Sequence, residues 1–142
     1  MSFKQWNAVF MLVGAIAIGV WLIYDTMSAG RSVGVAAVSA KLLWAGLAMI
    51  VFDILAAIGT AIVGSIVTRK EFKDERADER DKAVYARSMR NAYFVVSIGG
   101  LATLLILAFG YDPVFAAYAV FIAGLLAGAA GAISQLVYYQ LG

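Results

Sequence analysis

Cysteine and histidine are both absent from the 142-residue chain, and proline occurs once. Without cysteine there is no disulfide and no thiol nucleophile. Without histidine there is no imidazole base and no axial haem histidine, and the usual zinc sites need one or both residues. Catalysis would then fall to carboxylates, hydroxyls and lysines, which form no recognisable triad or motif here. The expectation is a non-enzymatic protein with no cofactor and no metal. Charge is also scarce, at 14% of residues, and the balance of 11 basic against 9 acidic side chains gives a net charge of +2, too small to suggest a nucleic-acid partner.

Apolar residues fill the space. They make up 63% of the chain, and the mean hydropathy is +0.88, well outside the range of soluble domains. A hydrocarbon layer of about 30 Å takes roughly 20 apolar residues per helix. Four runs of that length occur, from about Trp6 to Tyr24, Leu42 to Val67, Ala92 to Phe109 and Val114 to Tyr139. Trp6, Trp21, Tyr24, Trp44, Tyr93, Tyr138 and Tyr139 stand near their ends, where amphipathic rings meet headgroups. The first run is too long, and too poor in preceding basic residues, for a cleaved signal peptide, and reads as a retained helix. The expected fold is all-α, a single integral membrane four-helix bundle over residues 1–142 with the lipid bilayer as its first partner.

The charges are segregated. Eight of the 11 basic and six of the 9 acidic residues lie between Arg69 and Arg90. Basic residues near span ends stay on the cytoplasmic side, so the connector over 68–91 is expected in the cytoplasm, together with both termini, in a prokaryotic inner membrane. At the other end, Asp112 suits the cap of the fourth helix and Pro113 its first position, making spans three and four a tight hairpin. In the loop before span two, Ser39 is a possible N-cap, and the segment fits either a short interfacial helix or an early start of that span.

In lipid, helices associate through close packing of small residues and a few polar contacts. Span four carries two small-residue ridges, Ala116, Gly124, Gly128 and Ala132 on one and Ala119, Ala123, Ala127 and Gly131 on the next. Span two has Ala56, Thr60, Gly64 and Thr68, and span one Ala15 and Gly19. These ridges serve either packing within one bundle or contact with a second copy or a larger membrane complex.

Within the spans the polar groups are few: Asp53 and Thr60 on the second, Ser97 and Thr103 on the third, Ser134 and Gln135 on the fourth. Asp53 lies near mid-membrane, about 18 Å along the helix from Lys41, and hydrocarbon favours its neutral form. Three roles fit it: a neutral acid bonded to a carbonyl or to a hydroxyl such as Ser97 or Thr103, a proton or cation site, or a contact to another subunit. No span is broken by proline, so the unwound helices of many secondary transporters are not signalled.

The connector, "EFKDERADERDKAVYARSMRNAY", lacks proline and glycine and reads as a helix. Its Asp74-Glu75-Arg76 and Asp78-Glu79-Arg80 repeat stacks like charges, offset by pairs such as Asp78 with Lys82. A solvated helix, a protein-docking surface, or divalent-metal binding by Asp74, Asp78 and Asp81 would each use it, although the spacing matches no EF-hand. Tyr85, Met89 and Tyr93 share one face and Arg87, Arg90 and Asn91 another. That pattern suits a helix lying on the membrane surface with Arg87 and Arg90 near lipid headgroups.

The stretch from Asp74 to Tyr93, set between two N-terminal spans and a final helical hairpin, resembles a family of small prokaryotic four-span proteins of unknown function. Their signature is an Asp-Glu-Arg before a basic-aromatic entry to span three, and either copy of the motif here can stand for it. The resemblance implies the four-span fold and no biochemical activity. From all of this the expected function is that of a membrane scaffold, accessory subunit or regulator acting through protein contacts. The alternative is a small dimeric proton- or cation-coupled transporter built on Asp53.

Overall fold

A computed structural model describes residues 3–28, 34–68 and 79–141. They form four helices: α1 (Phe3–Ser28), α2 (Val35–Thr68), α3 (Glu79–Ala108) and α4 (Pro113–Leu141). All four are long and apolar enough to cross a membrane, and no strand occurs among the described residues. The chain is an integral membrane four-helix bundle, its membrane character resting on helix length and composition. The ends near Ser28, Val35, Ala108 and Pro113 form the hairpin end. Phe3, Thr68, Glu79 and Leu141 lie at the opposite, connector end.

Helix α2 takes the earlier of the two starts the sequence allows, and the entry to α3 differs from expectation. Helix α2 starts at Val35, seven residues before Leu42, with the Gly34 carbonyl accepting the first bonds from the Ala37 and Val38 amides at 3.1 and 3.2 Å. Ser39 is therefore inside the helix and not its cap. The run Val35 to Lys41 contains no glycine or proline to delay helix formation. Helix α3 is unbroken from Glu79 into the apolar run, and its first turns pack along α4, so this segment does not lie flat on the membrane surface. With good helix formers on both sides of Asn91, nothing in the sequence supplies a kink.

The α3–α4 turn is fully specified by local chemistry. Gly110 adopts φ +75°, the left-handed conformation that glycine takes at no steric cost. The Tyr111 amide donates to the Ile106 carbonyl and the Gly110 amide to Leu107, both at 3.1 Å, which is the Schellman pattern of a helix C-terminus. Asp112 Oδ1 then accepts from the Val114 amide at 2.9 Å, with Pro113 as the first residue of α4, as the sequence anticipates.

Packing centres on α4. It contacts α3 along its length, α1 next and α2 more sparsely, while α1 and α2 also contact each other. Helix α3 approaches neither α1 nor α2 to within 8 Å between Cα atoms. At the hairpin end Leu22, Val38 and Leu42 form a buried cluster, covered by Val114, Ala117, Tyr118 and Phe121. Elsewhere the buried positions are mostly alanines: Ala8, Ala15, Ala45, Ala116, Ala123, Ala127 and Ala132. Large side chains point outward and small ones inward, the arrangement expected where close backbone approach rather than water exclusion joins helices.

Candidate functional site

The α3–α4 interface shows that approach most directly. A Cβ added at Gly99 would overlap that of Ala123 and lie 3.3 Å from its Cα. One at Gly131 would sit 3.4 Å from the Ala92 Cβ. The ridge Ala123, Ala127 and Gly131 is thus the seat of α3. Its partner Gly99 is visible in the sequence only as half of a Gly-Gly pair.

Polar rungs close this interface at the connector end. The Asn91 amide donates to Ser134 Oγ at 3.0 Å and to Tyr138 Oη at 3.3 Å. Tyr139 donates its hydroxyl proton to Asp81 Oδ1 at 2.8 Å, and Arg80 reaches the Tyr139 carbonyl at 3.4 Å. Of the connector residues expected to form a docking surface, Glu79 and Arg80 are exposed at the start of α3, whereas Asp74, Glu75, Arg76 and Asp78 lie outside the described residues. Arg87 and Arg90 are exposed on α3, about 20 residues from its hairpin end. No group of three or more acidic residues able to hold a metal occurs among the described residues.

The other ridge of α4 behaves differently along its length. Ala116 and Ala132 are buried. A side chain added at Gly124 or Gly128 would meet nothing within 4 Å, so no described residue packs over these two glycines. Gly19 on α1 is likewise open, while Ala15 is buried. Gly64 lies in α2, with its surroundings outside the described side chains.

Helix α2 carries the polar groups of interest. Thr60 donates to its own helix, at the Ala56 and Ala57 carbonyls, 2.6 and 3.1 Å away. Asp53 has no such partner: Oδ1 is buried without a hydrogen bond. A Cβ at Gly14 of α1 would be 3.6 Å from that oxygen and 3.0 Å from Phe52 Cδ1. The remainder of the side chain is half-exposed. Neither Ser97 nor Thr103 partners it, because α3 never approaches α2 and Thr103 donates to the Gly99 carbonyl at 2.9 Å. Its buried oxygen faces α1 instead.

Toward the hairpin end of the same helix, α2 and α4 bound an open apolar groove of about 450 Å³, lined by Leu43, Gly46, Leu47, Ile50, Val120 and Phe121 among others. At its tight point a Cβ on Gly46 would lie 3.7 Å from the Phe121 ring. Farther along, the two helices carry Asp53 on one side and the open glycines on the other.

Architecture and site together define a multi-span helical membrane protein with an unfilled face on α2 and α4. No family model, no curated protein and no solved structure matches the chain.

Proposed function

We propose that the chain is a small non-catalytic subunit of a membrane assembly, a scaffold, accessory subunit or regulator, with its connector and both termini in the cytoplasm of a prokaryotic cell. The observation that carries this reading is the open glycine pair, Gly124 and Gly128. Neighbouring small positions on α4 are pressed against α1, α2 or α3, whereas these two give a smooth stretch of helix that nothing among the described residues covers. In lipid such a stretch favours another helix. The kinship suggested by Asp74 to Tyr93 belongs to the same proposal and brings no activity with it.

Extraction from native membranes into polymer-bounded discs, followed by mass measurement, tests the reading. Stoichiometric complexes are expected, and a population that is entirely monomeric overturns it. The orientation has its own check, made clean by the lack of native cysteine. A single Lys82→Cys variant should react with an impermeant maleimide only from the cytoplasmic side.

The unpartnered Asp53 oxygen favours a second reading, a dimeric transporter coupled to protons or cations. It has less support, since Thr60 and Thr103 both spend their hydroxyl protons on their own helices and no second carboxylate stands within the four apolar runs of the sequence. Infrared difference spectra of the wild type against Asp53→Asn would decide it. A carboxyl that never ionises between about pH 5 and 9 removes this reading.

A further inference from the structure

Gly46, Ile50, Asp53, Ala57 and Thr60 follow one another along α2 at spacings of three and four, and so share one stripe of the helix. Gly46 meets Phe121 of α4. Both helices run from the hairpin end toward the connector end, so counting seven residues beyond each contact brings Asp53 and Gly128 level. One turn nearer the contact, Ile50 is level with the region of Gly124. Ile50 is exposed, and a side chain at either glycine would meet nothing. Beyond Gly46 the two helices therefore leave open space between them, with Asp53 on one wall and bare backbone on the other.

We propose that this cleft seats a transmembrane helix of a different protein, one that carries a lysine or arginine at mid-membrane to pair with Asp53. The inference rests on the assembly reading above and names the chemistry of the partner. Charge complementarity selects the occupant. A partly exposed aspartate whose inner oxygen lacks any hydrogen bond lies on an apolar span, where acidic side chains pair with bases or with other polar groups. A second copy of the chain has no base to offer, because every lysine and arginine outside the Arg69 to Arg90 segment is Lys4, Arg31 or Lys41, all at span ends. Lys41 is moreover held by Asp25, at 2.8 and 3.0 Å. The glycines supply the second requirement, close approach of a helix backbone.

The test uses the full chain, labelled through Lys82→Cys, in phosphatidylcholine vesicles. Two synthetic single-span helices of leucine and alanine serve as probes, one with a central lysine and one with leucine at that position. Energy transfer reports association. The lysine helix should bind about tenfold more tightly than the leucine helix, Asp53→Asn should erase the difference, and Asp53→Glu should retain it. Asn keeps the size of the side chain, and unchanged helical circular dichroism confirms that the variant is folded. Equal binding of the two probes, no binding of either, or a lysine preference that survives Asp53→Asn overturns the proposal. Equal binding of both leaves the assembly reading standing. A lysine preference in a chain that is monomeric in native membranes defeats the assembly reading alone.

Discussion

The two halves of the molecule solve the same packing problem with different means. Helices α3 and α4 are joined by a turn whose every backbone demand is met, are pressed together through Gly99 and Ala123, and are bolted at the far end by Asn91, Ser134 and Tyr138. Helices α1 and α2 meet at the hairpin end, through the Asp25–Lys41 ion pair and the Leu22, Val38 and Leu42 cluster. Midway they touch at Gly14 and Phe52. The most apolar 18-residue stretches of both α2 and α3 bury no residue. For α3 this costs little, because its narrow small-residue face suffices for one neighbour. For α2 it means that half of a 34-residue helix is held mainly by its other end. The first pair is built as a finished unit, the second as a unit with a vacancy.

The largest effect should come from breaking the finished half. Gly99→Leu drives a side chain into the Ala123 backbone, and overpacking of this kind costs about 3 kcal/mol. Thermal unfolding in detergent should show a marked loss of stability, and a wild-type midpoint would mean that α3 can shift along α4 freely. A smaller effect is expected in the other half from Lys41→Met, which leaves Asp25 unpaired. The two side chains are 34% and 19% exposed, between an exposed pair and a buried one, so a loss of about 2 kcal/mol is expected. Adding Asp25→Leu to that variant should recover part of it. The smallest effect on the monomer should come from Gly124→Leu with Gly128→Leu, since nothing within 4 Å opposes the new side chains. Unfolding should stay within about 0.5 kcal/mol of wild type, while complexes from native membranes are lost. If the complexes survive, the glycine face looks at lipid.

The same contrast separates what the sequence discloses from what it conceals. The hairpin turn is legible because its signals are local: Asp112 and Pro113 act within two residues, and the structure uses both as read. The number of spans is legible because length and hydropathy decide it. The inward face of each span is not. In water the buried side of a helix is the apolar one, but here lipid and core are equally apolar, and periodicity loses its contrast. Gly124 and Gly128 therefore read like Ala123 and Ala127 yet lie in open space, and the hydroxyls of Ser97 and Thr103, which the sequence offers among the partners for Asp53, stand on a helix that never comes near it. Small size gives the better cue, as the buried alanines show, although it identifies every close-packing surface without saying which neighbour takes it.

The unbroken α3 has a mechanical consequence. At 30 residues it is a rod of about 45 Å that begins among charged side chains and ends at a four-residue turn. It has no proline and, among the described helices, a single neighbour to lean on. A pull or push on Arg80 or Lys82 cannot be absorbed at a hinge between the charged turns and the apolar ones, because there is none. A displacement there would be carried along the rod as a tilt against α4.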